Sequence, residues 1–477
     1  MKPIKIWQAI GWSAIAVLGA RPALGFPCRV SPLEIASKEN ARQAYAIALS
    51  QNHPDLPQRE QEYRQWINRH ATALAQCRER QWPRTLGIWL RVYPCDLRPG
   101  ALEAVLDRIV NYGYNRVYLN VFYNGQVLLP ERQNPTVWPS VVGTAAPHGD
   151  LLTRSLVLGK QRGLAVHAWI FANNTGPQYI RRADRQDTAV RNGYNETSLR
   201  DVRALPEVLQ SQQGFVDPYH PQVRADLQTL VAAIAQRRPD GLAIDYIRYP
   251  NRTDPWITDV RDMPIYGAAS YQALQQRTTD LGAEVLYRFL ATGQTPSLPI
   301  PRGTPLWRLP GQSQPIRFRD RVALTDQLWN LAIAHARQGI VDFLTAISAP
   351  ARAQNIPISA VFFPWGDRRA GNRVDPRLQP WPEFRQVQEW APMAYTNCQG
   401  TGCLRAEIGR TLARAPKNLR VCPVLAGSWG QQPGDRPSLE TQLYDVYQSF
   451  PNLDCVSHFV YAWLEGADDR ARRSCQL

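Results

Sequence analysis

Eight short segments rich in Val, Ile, Phe, Tyr and Trp recur along the chain, at residues 86–93, 116–124, 165–173, 242–249, 358–365, 390–397, 419–426 and 456–464. Each is nearly continuous in apolar residues rather than strictly alternating, which suits strands covered on both faces, as strands of a parallel sheet are. Amphipathic stretches at 102–112, 151–162, 223–237, 327–347 and 439–450 lie between them. Strand followed by helix, repeated, implies parallel pairing with right-handed crossovers. Eight such strands predict an α/β fold of the closed (β/α)8 TIM-barrel type. An open doubly wound sheet would normally place a glycine-rich phosphate loop after its first strand, and none stands there, so no nucleotide cofactor is expected.

That architecture ranks the carboxylates. In a parallel barrel the C-terminal strand ends and the loops beyond them carry the chemistry, whereas the opposite rim serves stability. The fourth segment runs Asp240-Gly241-Leu242-Ala243-Ile244-Asp245-Tyr246-Ile247-Arg248-Tyr249-Pro250. Asp245 is therefore the leading candidate for a catalytic group, with an ion pair to an arginine such as Arg248 as the structural alternative. Asp240 sits in the turn entering the strand and reads as structural. Asp367, two residues beyond Trp365, and Glu465, two beyond Trp463, are the candidates for a second catalytic carboxylate.

Aromatic residues crowd the same strand ends. Tyr93, Tyr123, Trp169, Tyr249, Trp365, Tyr395, Trp429 and Trp463 offer flat apolar faces to the C–H faces of sugar rings, while Asn120, Asn173, Asp217 and Arg248 could meet hydroxyl groups. Some of these rings would equally plug the upper layer of a barrel. His167 is in phase with Trp169 and Asn173 along strand three, so it faces the interior, either as a sugar contact or as a core histidine. Asp217 opens a Pro-rich turn before the next helix, where it reads first as a turn and cap residue.

The chain of 477 residues exceeds a minimal barrel of about 250 residues. Residues 26–83 read as an N-terminal helical extension, and residues 84–477 as the barrel with insertions at about 174–220 and 251–320. Residues 1–25 have the form of a signal peptide, with Lys2 and Lys5, an apolar run, and Ala23-Leu24-Gly25 as the cleavage region. No later segment is apolar enough to span a bilayer, so an exported protein of the periplasm or the medium is expected. Export makes the eight cysteines candidate disulfides. Cys398 with Cys403 and Cys28 with Cys77 are the expected pairs, while the pairing of Cys95, Cys422, Cys455 and Cys475 stays open. There is no Cys-x-x-Cys and the histidines are scattered, so no metal centre is expected. The net charge of +15 is carried almost wholly by arginine, which suits an anionic glycan or envelope surface as a partner, or simply a solvated basic exterior. No nucleic-acid-binding module is recognisable.

Several strings are similar to those of a known family. Leu86-Gly87-Ile88-Trp89, Gly163-Leu164-Ala165-Val166-His167-Ala168-Trp169, Asp217-Pro218 followed by Pro221-Gln222-Val223-Arg224, and above all the run from Asp240 to Pro250 resemble the family 10 glycosyl hydrolase-like proteins, over roughly residues 84–465. These are exported bacterial (β/α)8 proteins, also found in cyanobacteria. The resemblance implies cleavage of glycosidic bonds in a polysaccharide or cell-envelope glycan, with Asp245 as nucleophile or base. A non-catalytic glycan-binding protein on the same barrel is the alternative.

Overall fold

The computed structural model describes residues 28–201, 213–395, 398–432 and 434–475; the expected signal peptide lies outside them. Eight strand positions close on themselves: β1 (Thr85–Leu90), β2 (Arg116–Tyr123), β3 (Ala165–Phe171), β4 (Gly241–Asp245), β5 (Ile358–Phe362), β6 (Glu389–Ala394), β7 and β8 (Cys455–Phe459). β7 comes in two pieces, Arg420–Val421 and Val424–Ala426, separated by Pro423, which has no N–H for the ladder. Each strand pairs in parallel with its neighbours and β1 pairs with both β2 and β8, so the barrel has no open edge.

Apolar residues separate into two clusters. The larger lies between strands and helices, with Ile88, Leu119, Ile170, Ile244 and Phe362 among its members. The smaller fills the barrel and contains Trp89, Tyr118, Trp169, Phe171, Val361 and Met393. Successive strand residues face opposite ways, so Trp89, Trp169 and Ala243 point inward while their neighbours pack outward.

Around the barrel run α3 (Ala101–Asn111), α4 (Leu151–Gln161), α5 (Pro221–Ala235), α6 (Arg321–Arg352), α7 (Gly402–Leu412), α8 (Leu439–Ser449) and α9 (Gly466–Ser474). They are preceded by a hairpin of α1 (Pro32–Ser50) and α2 (Leu56–Arg80), stapled by Cys28–Cys77. The hairpin packs on α3 and α4. Asp107 of α3 is its buried anchor, accepting from the Tyr63 hydroxyl at 2.6 Å and from Arg162 Nε at 3.0 Å, with Lys38 Nζ 3.5 Å away.

The other disulfides are Cys398–Cys403, as expected, and two whose pairing was open, Cys422–Cys455 and Cys95–Cys475. Cys95–Cys475 holds α9 against the loop after β1, aided by Arg472 on Asp96 at 2.6 Å. The insertion after β4 contains two helices, Ala268–Gln275 and Asp280–Thr292, and a small hairpin. Among the described residues no helix is long and apolar enough to cross a membrane.

The candidate active site at the barrel mouth

Asp245 is the last residue of β4, and the strand ends there for a local reason. Tyr246 adopts φ 54°, a left-handed conformation that is unusual for an aromatic residue and turns the chain off the ladder. Its N–H donates to Asp245 Oδ1 at 2.6 Å, while the indole N–H of Trp169 donates to Oδ2 at 3.2 Å. The carboxylate is thus nearly buried, 6% exposed, and is oriented from two sides.

Aromatic side chains surround it. Trp169 meets Trp89 edge to face at 4.8 Å, and Phe171 lies 4.4 Å from Tyr246. On the far side Phe459, at the end of β8, contacts Trp169 at 6.2 Å, Tyr395 at 5.3 Å and Trp463 at 6.3 Å. Trp463 is 42% exposed and carries Arg436 over its ring, and Arg436 also donates to the Tyr395 carbonyl at 2.8 Å. Burial, aided by the charge of Asp245, raises the Tyr395 phenol well above its usual range, so it remains an O–H donor. Asp245, Trp169, Tyr395 and Trp463 are therefore linked in one aromatic cluster at the C-terminal strand ends, against which Tyr123 also packs.

One residue of this mouth escaped the sequence reading. Arg91, just beyond β1, lies with its guanidinium 5.3 Å from the Tyr123 ring and 5.9 Å from that of Trp169. Its phase with Trp89 was the available signal.

The other expected contacts divide by depth. Tyr93 lies beside Tyr123 but is buried, its hydroxyl donating to Asp469 at 3.2 Å. Asn120 and Asn173 are fully buried; Asn120 Oδ1 and both amide atoms of Asn173 have no hydrogen-bond partner. Arg248 is 1% exposed and stacks on Tyr246 at 4.6 Å, where it supports the kink.

Several expected contacts stand elsewhere. His167 faces the interior two residues below Trp169, against Tyr118, in a layer where burial and the charge of Arg116 push its pKa down to about 3. Asp217 accepts from the backbone N–H groups of Tyr219 and Ser270 and ties the two insertions together. Tyr249 faces α6 and donates to the Ala336 carbonyl. Trp429 donates to the Tyr114 hydroxyl at 2.9 Å and stacks under Arg29, on the outer side of the wall. Trp365 lies under Arg410, and the same arginine holds Asp367 at 2.6 Å. Glu465 accepts from Tyr112, the residue that ends α3, at 3.1 Å. Both proposed second carboxylates are thus engaged outside the Asp245 cluster.

The opposite rim holds a polar floor. Glu389 accepts from Arg116 at 2.7 Å, the Tyr118 hydroxyl at 3.0 Å and the Ser359 hydroxyl at 2.9 Å. Glu389 also lies near Cys422 and Cys455, but those sulfurs are joined in a disulfide and offer no thiolate to a metal. A cavity of about 30 Å³ beside Asp201, Arg252 and Asp262 lies in the insertions; there Arg252 is already paired with both carboxylates.

The fold and this mouth define a (β/α)8 barrel with a buried carboxylate in an aromatic opening. No protein-family model matches the chain, and no curated protein is similar to it in sequence. Solved structures similar to it include glycoside hydrolases. The PgaB (BpsB) glycoside hydrolase domain from Bordetella bronchiseptica is 15% identical over 82% of this chain and 99% of that one, with a TM-score of 0.47. The catalytic domain of beta-amylase from Paenibacillus polymyxa is 9% identical over 79% and 92%, with a TM-score of 0.49. TtGalA, an alpha-galactosidase from Thermus thermophilus, is 12% identical over 86% and 68%, with a TM-score of 0.39. Likeness at this level concerns architecture alone, and the barrel assignment rests on the strand pairing itself.

Proposed function

We propose that this chain is an exported glycoside hydrolase-like protein that cleaves glycosidic bonds of a polysaccharide or envelope glycan, with Asp245 as nucleophile or general base. The observation that carries this reading is the placement of Asp245: an oriented, nearly buried carboxylate at the C-terminal end of β4, amid Trp169, Tyr395 and Trp463. The indole and backbone N–H groups orient the carboxylate, and an oriented carboxylate at this position suits attack on an anomeric carbon or activation of a water. The aromatic rings supply stacking faces for the sugar, and the protonated Tyr395 supplies a hydrogen bond to a substrate oxygen. Four disulfides favour an oxidising compartment, and the family 10 glycosyl hydrolase-like motifs favour the same chemistry.

Glycosidases ordinarily use two carboxyl groups, about 5 Å apart when they retain configuration and roughly 6.5–9.5 Å apart when they invert it. Because Asp367 is tied to Arg410 and Glu465 to Tyr112, a glycan-binding protein without turnover is the second reading. Incubation with a panel of neutral, N-acetylated and acidic polysaccharides separates the two. New reducing ends support the hydrolase, retention of a glycan without cleavage supports the binding protein, and neither binding nor release refutes both.

A further inference from the structure

We infer that Arg91 is the receptor for a sugar carboxylate, so that the glycan taken by this mouth is a uronate-bearing one. The inference rests on the reading of Asp245 as the group that faces the glycan. The neighbouring arginines have occupied donors: Arg436 bonds the Tyr395 carbonyl and Arg472 bonds Asp96. Arg91 differs. Its guanidinium touches ring faces only, those of Tyr123 and Trp169, and among the described residues no carboxylate pairs with it. Its Nε is buried without a hydrogen-bond partner, while the side chain as a whole is half-buried, so the terminal nitrogens carry its exposure. A guanidinium held by its faces keeps its N–H edge free, and that planar fork matches a carboxylate in a bidentate manner.

Position adds the second half of the argument. Arg91 and Asp245 meet the same indole, Arg91 at 5.9 Å from its ring centroid and Asp245 at 3.2 Å from its N–H. In a hexuronate the carboxyl group and the anomeric carbon lie on the two sides of the ring oxygen. A uronate whose carboxylate is seated on Arg91 can therefore lie across Trp169 with its anomeric carbon on the side of the indole N–H that meets Asp245. A neutral sugar packed here would strip water from an unpaired cation without replacing it, which selects against neutral chains.

The test is a calorimetric titration of the full mature protein with short oligomers of galacturonate, glucuronate and mannuronate, each beside its carboxyl-reduced counterpart. The expected result is at least one uronate oligomer bound about 10- to 100-fold more tightly than its reduced twin. That preference should weaken with salt, disappear in Arg91→Gln and return only in part in Arg91→Lys, because lysine keeps the charge but loses the fork. Equal affinity for the reduced twin, or a preference retained in Arg91→Gln, overturns the inference. Should Arg91→Gln not fold, the wild-type ratio and Arg91→Lys decide alone. If neutral glycans are bound or cleaved and no uronate is, Arg91 is not a carboxylate receptor although the Asp245 reading stands; if no glycan of any class binds, both fall.

Discussion

Replacing Glu389 by alanine should cost about 3–5 kcal/mol of folding stability and leave glycan binding unchanged. Glu389 opens β6 at the rim opposite Asp245, and its side chain is 8% exposed. Burial alone would raise its pKa, but the nearby positive charge, that of Arg116 foremost, holds it below the ordinary value, so the group is an anion. The alanine variant leaves Arg116, whose side chain is 10% exposed, without its counter-ion and takes an acceptor from the hydroxyls of Tyr118 and Ser359. Removing one partner of such a pair costs far more than the pair is worth, because the remaining charge stays buried and uncompensated. Against a total of about 5–15 kcal/mol the fall would be easily measured. The assay is denaturant unfolding of the disulfide-intact protein, with the midpoint lowered at unchanged slope. A double replacement, Arg116→Met with Glu389→Leu, should recover most of the loss, since apolar side chains of similar size satisfy the same space. A fall below about 1 kcal/mol in Glu389→Ala, or a double variant worse than either single change, would refute the reasoning.

Acid should begin to weaken the fold before the carboxylates titrate. Burial first, with nearby arginine charge for two of them, depresses the pKa of His167 to about 3, of His335 to about 3 and of His458 to about 4. Each folded value lies below the unfolded one, so the unfolded chain takes up the protons first. The stability is fully present above pH 6.5 and is lost as pH falls from about 6.5 toward 4, by at most about 1.4 kcal/mol per group per pH unit. Equal denaturation midpoints at pH 7 and pH 4.5 would contradict this. Changing Cys95 and Cys475 to serine should cost about 2–5 kcal/mol and make α9 sensitive to proteolysis, because that bridge ties the last described turn to the loop after β1. Protease resistance of α9 in the double serine variant would count against it.

Much of the barrel could be read from the chain because inward and outward packing both leave apolar residues in strands, and Asp245 stood out as a charge ending such a run. Periodicity reports face but not depth. His167 faces inward as expected, yet lies one layer down, against Tyr118. Strand boundaries were a second source of error. The eighth strand stops at Phe459, and the helical turn Tyr461–Leu464 sends Glu465 outward to Tyr112. The ion pair of Asp367 could not be read from the chain, because its partner Arg410 lies 43 residues along, a pairing that only the fold creates. Arg91 was missed for the opposite reason, since a basic residue ending an apolar run looks like a solvated strand end.

The central claim is that Asp245 performs chemistry. It is tested most directly by the turnover of Asp245→Asn on whichever glycan the wild type cleaves, measured beside the melting temperature of both proteins. The amide is nearly isosteric, and its oxygen keeps one of the two N–H groups, of Tyr246 or of Trp169, which bond different oxygens of the carboxylate. The account predicts an unchanged fold and glycan affinity with turnover reduced by at least roughly 10²–10⁴-fold, more if the residue is the nucleophile. Turnover equal to the wild type, or a loss of activity fully explained by a lowered melting temperature, would contradict it.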